Sequence, residues 1–310
     1  MLKSLKSMIR PIMKLDKWAK GVLFLAVILI ICLVMNLHVP MKEGFTQRKK
    51  FVLKEGIDCY DGFYSEIYDD LVYDDVKNDF EVGELKRIIK PTSKSRILDI
   101  GSGSGHHVSL MKKLGCHAEG VDISPAMVNI AKKKYKSCKF KQGNALDNMI
   151  YPRNSFSTVT CFYFTIYYME DKKQFINNVY DWLMPGGYFV LHLVNRDKFD
   201  PILNTADPLH IVSAQKYAKK RITNSLVKFK DFQYKANFEL DKENNLAEFK
   251  EDMTDDKTKH VRQNVHKLYM VPQKEIISLA KQAGFILQGK IDMVQAQYGY
   301  QYLYLMYKPE

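Results

Sequence analysis

Two kinds of hydrophobic pattern divide the chain. From Gly21 to Met35 every residue is apolar or Gly, and Leu37 and Val39 carry the run past Asn36. Counted over 21–39 it holds 19 residues. As a helix that is about 28 Å at 1.5 Å per residue, enough to span a bilayer's hydrocarbon core. Trp18 stands where an interfacial aromatic would stand. The reading is a single transmembrane anchor. A cleaved leader lacks a small-residue cleavage site after the run, and lysines on both flanks speak against a buried core helix.

Beyond position 90, short apolar runs alternate with amphipathic stretches. The spacing predicts strands over 96–100, 116–121, 138–142, 156–164 and 188–194. Helices over 104–114, 125–135 and 171–183 lie between them, and one over 74–90 precedes them, ended by Pro91. Ser124 is an N-cap and Pro125 a first helical residue. Such alternation implies βαβ units and a parallel sheet covered on both faces. Over 224–270 the period drops to two, in runs such as 232–240, 246–252 and 261–270, which predicts an antiparallel insertion. A helix over 273–283 follows. Two strands near 285–294 and 300–307 finish the chain as a hairpin at the sheet edge. The expected organisation is a basic segment 1–20, the anchor 21–39, a polar linker 40–57 and one α/β domain over 58–310.

Charge sharpens this division. Residues 1–54 hold eleven Lys/Arg against Asp16 and Glu43, so nine of the twelve net positive charges sit there. That favours attraction of the N-terminal segment to anionic lipid over a nucleic-acid-binding domain. The five cysteines are scattered with no CxxC pair, which excludes a zinc ribbon or disulfide framework. No metal site is expected.

Four motifs carry candidate chemistry. In Ile97-Leu98-Asp99-Ile100-Gly101-Ser102-Gly103-Ser104-Gly105 a buried strand ends and a glycine bend opens a helix. Glycines let a backbone approach a ligand closely, and amides at the helix start can hold a carboxylate. A dinucleotide fingerprint would need a sixth-position glycine, and His106 stands there. In Gly120-Val121-Asp122-Ile123-Ser124, Asp122 lies 21 residues after Gly101. It can accept from both hydroxyls of a ribose, or serve only the helix dipole. Met127 can cover a base or simply fill the core. In Gln142-Gly143-Asn144-Ala145 a side-chain carbonyl can accept from an adenine amino group, or form a plain turn. Leu183-Met184-Pro185-Gly186-Gly187-Tyr188 ends a helix and starts a strand.

Taken in order, ILDIGSGSG, GVDIS, QGNA and LMPGGYFVL resemble class I S-adenosylmethionine-dependent methyltransferases over residues 58–195. The resemblance implies a Rossmann-like, mostly parallel seven-stranded sheet with an antiparallel last strand. It implies that Asp99, Gly101, Ser102, Gly103 and Gly105 surround the methionine moiety of the cofactor. Asp122 with Ile123 would meet the ribose, Met127, Asn144 and Ala145 the adenine, and Phe162 would line the same site. Asn144 departs from the commoner Asp at the adenine position. The chain is also similar to small-molecule N-methyltransferases, among them glycine N-methyltransferase and the amino-sugar N,N-dimethyltransferases. Tyr64-Ser-Glu-Ile-Tyr68 stands at their N-terminal lid, and Cys161–Tyr168 at their segment after strand four.

Methyl transfer from an activated sulfonium needs positioning, exclusion of water and, for a protonated acceptor, a base. Tyr64, His192 at the end of its strand, and His266 in the insertion are the candidates. The expected function is methylation of N or O on a small molecule near a membrane. Lipid, quinone or protein acceptors are the alternatives, and a non-catalytic scaffold on the same fold is a second alternative. A cytosol-made cofactor and unpaired thiols place the catalytic domain in the cytosol. The sequence leaves the oligomeric state open.

Overall fold

The computed structural model describes residues 16–37, 49–201 and 221–310. The chain divides into two units, Met1–Thr46 and Gln47–Glu310. The first contains helix α1, Lys17–Leu37. Asp16 starts it, accepting from Ala19 N–H at 2.7 Å. Among the described residues no helix is long and apolar enough to cross a membrane. The anchor expected over 21–39 is therefore not supported there; its positions 38–39, and the side chains at 28, 29 and 31–37, lie outside the described residues. So do residues 1–15 of the basic segment.

The second unit is built on two sheets. The larger has seven strands in the order β11-β12-β6-β5-β2-β3-β4. In chain order these are β2 (Arg96–Ile100), β3 (His117–Asp122), β4 (Lys139–Gln142), β5 (Phe156–Cys161), β6 (Leu183–Val194), β11 (Ile286–Asp292) and β12 (Gln301–Tyr307). β2 to β6 are mutually parallel. β12 runs antiparallel to both of its neighbours, which is the seven-stranded arrangement the resemblance implies. Helices α2 (Gly62–Val72), α3 (Asp75–Ile89), α4 (His106–Lys113), α5 (Pro125–Lys134), α6 (Lys172–Trp182) and α7 (Gln273–Gln282) complete the unit. Successive side chains of a strand point to opposite faces, so β2 packs Leu98 and Ile100 with Phe175, Trp182 and Ile276. Its Ile97 packs with Leu85, Met111 and Val128 on the other side. Both faces are thus covered, as the near-continuous apolar β2 requires.

The smaller sheet, β1-β10-β9-β8-β7, contains the predicted insertion: β7 (Asn224–Lys228), β8 (Phe232–Asp241), β9 (Leu246–Asp255) and β10 (Val261–Tyr269). Its edge corrects the linker expected over 40–57, of which 40–48 lie outside the described residues. Phe51–Glu55 is strand β1, parallel to β10 in the register Phe51↔Val261 to Glu55↔Val265. Two other boundaries move for local reasons. β5 stops at Cys161, three residues early, because Tyr163 turns to positive φ and gives its N–H to His192 Nδ1 at 3.1 Å. β6 begins at Leu183 and takes in the Pro185-Gly186-Gly187 stretch expected as a turn, since Gly186 N–H finds Lys308 O at 2.9 Å.

Candidate active site

The glycine bend leaves β2 and curls back onto β3. Gly101 and Ser102 N–H groups both reach Val121 O, at 2.8 and 3.1 Å. Gly101 needs its left-handed φ of +67°, and an added Cβ would lie 2.4 Å from Thr165. Gly103 N–H donates to Asp122 Oδ2 at 2.9 Å, and Ser124 N–H to Oδ1 at 2.9 Å. Burial raises the Asp122 carboxyl and these two amides oppose it. Ser124 then caps α5 through Met127 N–H at 3.2 Å and donates to Tyr60 O at 2.7 Å.

A cavity of about 720 Å³ opens over this bend. Asp99, Gly101, Ser102, Gly103, Asp122, Ile123, Met127, Asn144, Ala145 and Phe162 all line it. Gly105 does not, which corrects the expectation for it. Its φ of +89° starts α4, and an added Cβ would meet Phe140 at 2.6 Å and Ala131 at 3.0 Å. It serves close packing of helix on sheet. Asn144 Oδ1 already accepts from Leu146 N–H at 3.0 Å, leaving one lone pair for a ligand. Asp99 is buried and accepts from Thr160 Oγ1 at 2.7 Å. Burial pushes its carboxyl up to about 6 against the influence of His107.

The three catalytic candidates fare differently. Tyr64 lines the cavity, with its hydroxyl donating to Glu251 Oε1 at 2.8 Å. His192 and His266 are fully buried and neither lines the cavity, so direct contact with a substrate is corrected for both. His192 is held by Gln301 at 3.0 Å and Glu81 at 3.2 Å. His266 stands behind the cavity wall, between Tyr168 at 3.1 Å and Glu251 at 2.7 Å.

Sequence reasoning missed two buried charged clusters. On α3, Lys77 Nζ donates to Asn78 Oδ1 at 2.7 Å and to Glu81 Oε2 at 3.0 Å, and His107 Nε2 lies 2.7 Å from that carboxylate. Lys77, Asn78 and His107 line the cavity. The i,i+4 pairing of Lys77 and Glu81 was visible but reads as a surface pair. On β9, Glu251 is in phase with Ala247 and Met253, both buried; a carboxylate at an inward position was the available signal. α2 is fastened to the bend by Asp69, which accepts from Ser104 Oγ at 2.6 Å and contacts His106 Nε2 at 2.7 Å and Lys134 Nζ.

A doubly covered, mostly parallel sheet with a ligand cavity at the strand ends, floored by a glycine bend and an acid on the next strand, defines a Rossmann-like nucleotide-binding enzyme class. Residues 91–284 match the methyltransferase-domain family, and the chain belongs to that family. It is 33% identical over 117 residues to the demethylmenaquinone methyltransferase of Chlorobaculum tepidum, covering 37% of this chain and 48% of that one. It is 27% identical over 117 residues to dTDP-4-amino-2,3,4,6-tetradeoxy-D-glucose N,N-dimethyltransferase of Saccharopolyspora spinosa, 36% of this chain and 46% of that one. The chain thus spans about half the length of these relatives. Among solved structures, an S-adenosylmethionine-dependent methyltransferase from Clostridium acetobutylicum superposes with a TM-score of 0.60 at 15% identity, over 81% of this chain and 100% of that one. A sugar N-methyltransferase from Streptoalloteichus gives 0.58 at 17% identity, over 80% and 93%. These likenesses concern the fold.

Proposed function

We propose that the protein is an S-adenosylmethionine-dependent methyltransferase acting on N or O of a small molecule. One observation carries the reading: the glycine bend and the Asp122 carboxylate meet, through Gly103 N–H, on the floor of a single cavity. The residues fit the cofactor. Asp122 is half-buried with its carboxylate fixed by two amides, suited to a pair of ribose hydroxyls. Met127 and Ala145 give apolar surface beside Asn144 for adenine, and Asp99 offers a buried carboxylate for an ammonium group. When bound, the cofactor supplies a methyl group on a sulfonium, ready for in-line displacement. The chain's residues supply orientation and a dry cavity.

The test is calorimetry with S-adenosylhomocysteine. Micromolar binding by the wild type, weakened about 10- to 100-fold in Asp122→Ala by loss of charge-assisted hydrogen bonds, supports the reading. No binding by the wild type refutes it.

A membrane-associated acceptor is the finer part of this proposal. It rests on the apolar run from Gly21 to Met35 and the surrounding lysines; a cytosol-made cofactor and unpaired thiols support a catalytic domain on the cytosolic face. Similarity to a demethylmenaquinone methyltransferase supports a lipid-soluble or quinone-like acceptor. Carbonate extraction of membranes checks the anchor: the full chain stays in the pellet if it spans, and its release to the supernatant contradicts the tether.

A further inference from the structure

We infer that Tyr168, backed by His266 and Glu251, receives the proton of an aromatic hydroxyl that this cavity methylates. The inference rests on the methyltransferase reading.

Tyr168 ends the short 3₁₀ turn Thr165–Tyr168. Thr165, the first residue of that turn, lies against the α-carbon of Gly101. The turn starts at the glycine bend and ends with Tyr168 lining the same cavity, together with Tyr60, Tyr64 and Tyr68. Tyr60 OH donates to Tyr168 OH at 2.8 Å. Tyr168 OH lies 3.1 Å from His266 Nδ1, and His266 Nε2 lies 2.7 Å from Glu251 Oε2. Glu251 also accepts from Tyr64 OH at 2.8 Å, Tyr234 OH at 2.6 Å and Asn264 Nδ2 at 3.3 Å.

These contacts fix the direction of the chain. Burial pushes the Glu251 carboxyl up, but His266 and the two tyrosine hydroxyls outweigh it and hold the group below its usual value. As a carboxylate it accepts only, so His266 donates to it from Nε2, and in the neutral ring Nδ1 is the nitrogen with the lone pair. Tyr168 is the donor to that lone pair. Burial pushes the Tyr168 phenol up, so a tyrosinate does not accumulate. A proton arriving at the Tyr168 oxygen leaves on the other side as the phenol hydrogen passes to His266.

The step balances. The acceptor O–H bond breaks and its proton goes to Tyr168, whose own hydrogen moves to Nδ1. The resulting imidazolium is stabilised by the Glu251 carboxylate. The acceptor oxygen forms its bond to the methyl carbon, the carbon–sulfur bond breaks, and the electron pair stays on sulfur. The extra proton returns through Tyr168 after product leaves.

The wall selects the acceptor. Around Tyr168 it is made of neutral rings, and Tyr60 packs edge-on against Tyr64 and Tyr168 with centroids 5.4 and 6.0 Å apart. The carboxylate of this cluster, Glu251, is enclosed by its donors and does not reach the cavity. Carboxylates of Glu55, Asp69, Asp200 and Glu248 also line the cavity, so what favours a neutral hydroxylated ring at this wall is the edge-to-face contact it gains there. Tyr168 is thus the group that meets the acceptor; His266 and Glu251 act through it as positioning residues.

The test uses the full chain, radiolabelled S-adenosylmethionine and two probes of similar size, catechol and 4-nitrocatechol. At mildly alkaline pH the first is a phenol and the second already a phenolate. Wild type should methylate both. Tyr168→Phe should lower kcat for catechol about 100-fold, with KM little changed, and spare 4-nitrocatechol. His266→Gln should do the same, and Glu251→Asp should recover rate lost in Glu251→Gln. S-adenosylhomocysteine binding by each variant reports folding and cofactor affinity separately. Equal slowing on both probes in a binding-competent Tyr168→Phe protein overturns the relay. Wild type that binds S-adenosylhomocysteine but methylates neither probe overturns the acceptor class. Absence of binding overturns the methyltransferase reading instead.

Discussion

Gly103 N–H donates to Asp122 Oδ2 across 2.9 Å, so the bend after β2 and the acid closing β3 form one rigid floor. Because Ser124 N–H holds the other oxygen, the carboxylate is oriented before any ligand arrives. Its free lone pairs are what a pair of ligand hydroxyls would meet. Preorganisation of this kind lowers the ordering cost of binding, and the bend that supplies it can be perturbed one atom at a time.

Gly101→Ala is the sharpest such perturbation. The left-handed φ costs roughly 1–2 kcal/mol for a residue with a Cβ, and the new methyl would press on Thr165 at 2.4 Å. We expect a lower melting temperature and at least about tenfold weaker S-adenosylhomocysteine binding. Thr165→Ala removes the crowding atoms but not the φ penalty. The double variant should therefore recover part of the loss, as a double-mutant cycle in thermal unfolding would show. Strict additivity would mean that the contact with Thr165 is relieved elsewhere.

Asp99 should make cofactor binding pH-dependent. Burial, opposed by His107 and the Thr160 hydrogen bond and reinforced by Glu81 and Asp122, raises its carboxyl from 3.8 to about 6. The folded chain therefore holds an extra proton between those values. Stability from this group is fully present below the ordinary carboxylate value and is lost as pH rises through about 6. A ligand ammonium beside Asp99 favours the ionised form, so binding below that point releases a proton and tightens as pH rises. Calorimetry in two buffers of different ionisation enthalpy should show the release in wild type and not in Asp99→Asn. A wild-type enthalpy independent of buffer would remove the ammonium from Asp99.

What the sequence disclosed and what it hid follow from the range of each signal. The main sheet was legible because alternation, caps and the glycine bend are local. The positions that line the cavity were legible for the same reason, except at Gly105, which looks like its neighbours until Phe140 is brought against it. His192 sits near the strand end as expected, but its side-chain partners come from α3 and β12, far away in sequence. β1 went unread because its exposure alternates between half-buried and exposed, and its ladder partner β10 lies far along the chain, Phe51 pairing with Val261. Glu251, Lys77 and Glu81 carry charges that composition assigns to the surface.

That hidden strand predicts where the second unit can be cut. A chain starting at Gln47 keeps β1, whereas one starting at Ile57 leaves the edge of β10 unpaired from Val261 to Val265. Bare edges invite pairing with another copy. The shorter chain should melt several degrees lower and sediment as larger species, while the longer one matches the full chain in unfolding of this unit. Identical melting and sedimentation of the two would show β1 to be dispensable.

Glu81 is the last group whose removal should be read as pH dependence as well as loss. It is fully buried with Lys77 at 3.0 Å, His107 at 2.7 Å and His192 at 3.2 Å. Burial works to raise its carboxyl, but Lys77 and the two histidines outweigh it and hold the group well below its usual value. A depressed carboxylate contributes stability above its unfolded pKa, and that contribution is lost as pH falls toward the folded value. Glu81→Gln keeps the shape but leaves the Lys77 ammonium buried without a counter-charge, a change worth about 3–5 kcal/mol at neutral pH. The gap to wild type in denaturant unfolding should shrink steadily as the medium is acidified. Adding Lys77→Met should recover much of it, since removing both charges costs less than stranding one. A gap that stays constant with pH would mean that Glu81 acts through packing alone.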